Sequence, residues 1–90
     1  MRPPESKAAL AGAAFRRAES LCEKGSWRQA IAEYQKCVEL DPKHAEAHHN
    51  LGNLMRRRGD YSDAKLHFDE AIRLNPSLRG RLAQRRRGSN

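Results

Sequence analysis

Apolar side chains recur at three- and four-residue spacing along two stretches of the chain, Trp27, Ala30, Ile31, Tyr34, Cys37, Val38 and then Tyr61, Ala64, Phe68, Ala71, Ile72. That spacing gathers them on one face of a helix. Two other stretches carry narrower stripes of smaller residues, Ala14, Ala18, Leu21 and Leu51, Gly52, Met55, which let neighbouring helices approach closely. No strand is predicted.

Punctuation between these stretches is regular. Gly25-Ser26 and Gly59-Asp60 each supply a left-handed residue to end one helix and a cap to start the next. Asp41-Pro42 and Asn75-Pro76 end the following helices, because the residue before proline is pushed out of the α region and proline has no N–H to donate. The predicted helices are residues 5–24, 27–40, 45–58, 61–74 and 77–87.

Laid over itself at an offset of 34 residues, the chain pairs Gly25 with Gly59, Ala30 with Ala64, Leu40 with Leu74 and Pro42 with Pro76. Trp27/Tyr61, Tyr34/Phe68 and Val38/Ile72 fill the same frame with similar shapes. A fixed period of this length is the mark of stacked helical hairpins. The division is an N-terminal extension of the first helix (1–10), two repeats (11–44 and 45–78) and a basic end (79–90).

Composition alone would argue against a fold. Only fourteen of the 90 residues are Leu, Ile, Val or Phe, and the net charge is +7. The repeat answers the first concern, and the distribution of charge answers the second. Residues 11–78 hold eleven basic and ten acidic side chains, whereas residues 79–90 hold five arginines and no acid. The charge therefore describes a tail.

The stretch His48-His49-Asn50-Leu51-Gly52-Asn53, followed by Gly59-Asp60-Tyr61, Ala64, Phe68, Ala71 and Leu74-Asn75-Pro76, resembles a tetratricopeptide repeat (TPR). Gly25, Trp27, Ala30, Tyr34 and Leu40-Asp41-Pro42 occupy the same places in the first copy. Two positions depart from the family pattern: Arg17 replaces an apolar residue and His48 an aromatic one. The resemblance implies an all-α, helical-hairpin solenoid of two repeats with a C-terminal capping helix. It implies a non-catalytic scaffold that takes a peptide or helix of a partner protein in a concave groove lined by the first helix of each repeat.

Helical spacing then locates that groove on Phe15, Glu19, Cys22 and Glu23 in the first copy and on Glu46, His49, Asn53, Arg56 and Arg57 in the second. Glu19, Glu23 and Glu46 are read as its acidic end. Arg56 and Arg57, with Lys43 and His44, are read as its basic end, and His48 is read as packed in the stack with His49 facing the groove. The carboxylate clamp of chaperone-binding members is not matched, since Phe15, Glu19, Gly80 and Ala83 stand at its places and only Asn50 agrees.

Competing chemistry is sparse. Cys22 and Cys37 lie at unequal distances from the turn at 25–26, about 12 Å apart along the hairpin, too far for a disulfide. Two free thiols suit a reducing, cytoplasmic setting. His44 and His48 lack a third ligand at helical spacing, so no metal and no cofactor is expected. No nucleophile with a recognisable base and no phosphate-cradling loop is present, and Asp69-Glu70 reads as a solvated face. No stretch is apolar enough to span a membrane, and no signal peptide is predicted. The first twenty residues have the Arg- and Ser-containing character of a mitochondrial targeting segment, but removing them would remove a structural helix.

The arginines at 79, 81, 85, 86 and 87 remain. With Leu78 and Leu82 packing inward, they form the wet side of a capping helix. The alternative is contact with nucleic acid or an anionic surface through Arg79, Arg81, Arg85, Arg86 and Arg87. Two repeats are few for a solid core, so marginal stability or self-association that extends the stack is expected.

Overall fold

A computed structural model describes residues 6–79, and among these every regular element is helical. The order is α1 (Lys7–Glu23), α2 (Trp27–Leu40), α3 (Ala45–Arg58) and α4 (Tyr61–Leu74). The helices form two antiparallel hairpins, α1 with α2 and α3 with α4, and α2 packs on α3 to join them. Residues 77–79 start another helical turn. The rest of the expected capping helix lies outside the described residues, as do residues 1–5.

The repeated punctuation produces repeated backbone geometry. Gly25 and Gly59 adopt φ of 77° and 94°, a region that costs other residues steric strain. After them Ser26 N–H reaches Leu21 O and Asp60 N–H reaches Met55 O, both at 2.8 Å, closing the same helix-ending motif twice. The Asp41 and Asn75 side chains accept from the backbone N–H two residues on, both at 3.2 Å, turning the chain in the same way after α2 and α4. At the start of α1, Ser6 caps by accepting from Ala9 N–H at 3.1 Å.

Small residues hold the hairpins close. Ala11, Ala14, Ala18, Ala30, Ala47 and Ala64 are all buried in one core with Ile31, Tyr34, Leu51, Leu54 and Met55. A Cβ added at Gly52 would stand 3.0 Å from the Phe68 ring, so that glycine sets the approach of α3 to α4. Leu78, just past the Asn75 turn, is 1% exposed and extends the core beyond α4.

One expectation about the core needs correction. Trp27 and Tyr61, placed on the apolar faces by their spacing, keep 41% and 69% of their surface exposed. Both occupy the first helical position after a turn, at the rim of the stack, where only a neighbouring element can cover them. Arg17, in place of an apolar residue, stays at the surface and pairs with Glu33 across α1 and α2 at 3.1 Å.

Candidate functional site: a mixed-charge groove

The last turns of α1 and α3 lie side by side and, with Trp27 and Tyr34 of α2, enclose an open cavity of about 440 Å3. Glu19, Cys22 and Glu23 come from α1, and Asn50, Asn53, Leu54, Arg56 and Arg57 from α3. Six of the nine predicted groove residues are therefore brought together.

The charges are arranged differently from the sequence reading. Acid and base do not mark opposite ends: Glu19 and Glu23 share one cavity with Arg56 and Arg57, because the C-terminal turns of both first helices meet there. Glu46 is exposed in the opening turn of α3, at the other end of that helix. There too is His44, whose Nδ1 caps α3 by accepting from Ala47 N–H at 3.2 Å. The His44 ring stacks on Phe15 at 4.7 Å, and Phe15 meets Tyr34 edge-on at 5.6 Å, so Phe15 is half-buried and does not line the cavity. His49 is buried rather than groove-facing, its ring edge-on to Phe68 at 5.8 Å.

A hydrogen-bonded chain crosses the cavity floor. Asn50 Nδ2 donates to the Tyr34 hydroxyl at 3.2 Å, which leaves that hydroxyl free to donate to the Cys22 thiol. Burial pushes the Tyr34 hydroxyl well above its ordinary range and raises the Cys22 thiol, so both stay protonated and neutral. Spacing missed Tyr34 and Asn50 because it assigned Tyr34 to core packing alone; a tyrosine whose ring is buried needs a partner for its hydroxyl, and that was the available signal.

Along the rim the arginines are held. Arg57 lies over the Trp27 ring at 4.5 Å. Arg56 donates to Asn53 Oδ1 at 3.3 Å and stands 5.8 Å from the centre of the Phe68 ring. Fixed in this way, the two guanidiniums lose less freedom when they meet a carboxylate.

Elsewhere the sequence candidates are scattered. Cys22 and Cys37 are free thiols, and burial with the Asp41 carboxylate nearby pushes Cys37 up to about 11. Among the described residues no three His, Cys, Asp or Glu side chains come together to hold a metal ion. No described helix is long and apolar enough to cross a membrane. Of the tail arginines only Arg79 falls within the described residues, where it is exposed. Arg81, Arg85, Arg86 and Arg87 lie outside them, as do Gly80 and Ala83.

Comparison with known families agrees with the period. A TPR repeat model matches residues 18–57, and a tetratricopeptide repeat model matches residues 45–78. The chain belongs to the TPR family. Over 62 residues it is 34% identical to the protein O-mannosyl-transferase TMTC1 of Mus musculus, a match covering 69% of this chain and 7% of the relative. Over 75 residues it is 36% identical to cellulose synthase operon protein C of Escherichia coli (strain K12), covering 80% of this chain and 6% of the relative. The chain thus spans less than a tenth of the length of these relatives. TPR repeats generally mediate protein–protein interaction.

Proposed function

We propose that this TPR pair is a non-catalytic scaffold that receives an extended or helical segment of a partner protein in the groove between α1 and α3. The observation that carries the reading is the juxtaposition of Glu19 and Glu23 with Arg56 and Arg57 around one open cavity. A surface with both signs a few side chains apart selects a segment that itself alternates acid and base, and like-charge contacts reject others. Asn53 and Asn50 offer amides able to donate to or accept from a peptide main chain. The free thiols support a reducing compartment such as the cytoplasm as the place of action.

Capture from a cell extract tests this with groove-only substitutions. Glu19→Lys/Glu23→Lys and, separately, Arg56→Glu each reverse one sign while leaving exposed positions exposed. Loss of the same captured protein in both variants, with helical circular dichroism unchanged, is the expected result. Partners retained equally by all three proteins would place the functional surface on another face.

A further inference from the structure

A second cavity of about 390 Å3 adjoins the groove, sharing Trp27, Leu54 and Arg57 with it and completed by Arg28, Ile31 and Arg58. Its size lies within the range of ligand-binding pockets. Its chemistry differs from the groove: every charged lining residue is an arginine, and the remainder are apolar. Arg58 is partly neutralised, donating to Asp60 at 2.6 Å with half of its side chain exposed. No described carboxylate lies within ion-pair distance of Arg28 or Arg57.

The start of α2 reinforces the positive field. Its first turn contains no acidic residue, and Ser26 makes no side-chain capping bond, so the free N–H groups of that turn add their partial positive charge beside Arg28. The second hairpin differs at the same place, with Asp63 in the first turn of α4.

We infer that this cavity, formed where α2 meets the end of α3, is a docking site for an acidic protein segment carrying an apolar anchor. Ile31 and Leu54, 5% and 6% exposed, form an aliphatic wall beside the partly exposed Trp27, and an inserted leucine or phenylalanine would bury further apolar area there. Arg28 and Arg58 flank that wall and would take carboxylates on either side of the anchor, through two-point contacts that guanidinium groups favour. Nucleic acid suits the site less well. One face of Trp27 is already covered by Arg57 at 4.5 Å, and an aliphatic wall offers nothing to a phosphate.

Trp27 is the chain's single tryptophan, so its fluorescence reports on the cavity directly. The test titrates the protein with a short blocked peptide in which a Leu-Phe pair is flanked by glutamates, and with its lysine-flanked counterpart. Saturable binding of the glutamate peptide only, weakened by salt and lowered about tenfold or more by Arg28→Glu, is the expected outcome. Arg58→Gln should lower it less, because Asp60 already shares that charge. Since Trp27 also borders the groove, Asn50→Ala serves as the groove control and should leave peptide binding unchanged. A glutamic acid early in α2 suits the helix dipole, so Arg28→Glu should remain folded. The inference fails if both peptides bind alike, if neither gives a saturable change, if Asn50→Ala rather than Arg28→Glu abolishes binding, or if a single-stranded oligonucleotide and not the peptide shows the Arg28 dependence.

Discussion

In the first hairpin Trp27 lies under Arg57, supplied by the hairpin that follows, and keeps 41% of its surface; at the matching place in the second, Tyr61 keeps 69%. Two residues further apart tell the same story: Ile31 is 5% exposed against α3, whereas its counterpart Lys65 is exposed and pairs with Asp69 along α4 at 2.8 Å. The first helices differ in the opposite sense. Arg17 sits at the surface of α1, but its counterpart Leu51 is fully buried in α3. The backbone plan repeats while the chemistry follows position in the stack: at both of these equivalent pairs the apolar member lies on an inner helix, α2 or α3, and the charged member on an outer one. Stability should be distributed accordingly.

The largest expected effect is the contrast between Leu51 and Arg17, equivalent positions in the repeat. Leu51→Ala removes a fully buried side chain between packed helices and should cost about 2–5 kcal/mol. Arg17→Ala loses a surface ion pair with Glu33 and should cost about 1 kcal/mol or less. Urea unfolding followed by circular dichroism measures both, and equal costs would mean that the α2–α3 junction is not the centre of the fold.

A smaller contrast separates the two rim aromatics. Trp27→Ala gives up a cation–π contact and partial burial, about 1–2 kcal/mol. Tyr61→Ala, at a mostly exposed position, should stay within about 0.5 kcal/mol. If the Tyr61 change proved the costlier, something other than the described residues would cover α4.

These contrasts mark how far the sequence could be read. Helix boundaries, both glycine turns and both Asx turns follow from residues within a few positions of each other, and the offset of 34 checks each against its copy. The all-α hairpin fold was legible for that reason. What covers Trp27 but not Tyr61 depends on an element one repeat away, so a stripe on one helix could not distinguish them. The groove residues were legible by face, since Glu19, Cys22, Glu23, Asn53, Arg56 and Arg57 do line one cavity. Their electrostatics were not, because placing acid and base at separate ends required knowing that the C-terminal turns of α1 and α3 meet. His49 was placed by spacing alone, while the width of the core between α3 and Phe68 decides its burial.

The smallest expected effect is in the response to pH, and it too should belong to one hairpin. Where the first hairpin has Ala14 and Glu33, the second has His48 and His67, with their Nδ1 atoms 3.1 Å apart and their rings stacked at 5.3 Å. His48 Nε2 donates to Pro42 O at 2.9 Å, which leaves Nδ1 of neutral His48 to accept from His67 Nδ1–H. Burial, reinforced by the charge that His48 can carry, lowers the His67 value below its ordinary 6.5, and the Asp63 carboxylate one turn earlier opposes the shift. Glu70 also faces His48 but is engaged by Arg73. Since the unfolded chain then binds more protons than the folded one below pH 6.5, this group's stabilisation is complete above that value. It is lost as pH falls from there through the lower folded-state value. His67→Gln should remove that component of the slope while keeping a side chain able to donate to His48. Unfolding midpoints measured from pH 7.5 to pH 5 in both proteins decide the matter: a slope equally steep in the variant would assign the acid sensitivity to groups outside this pair.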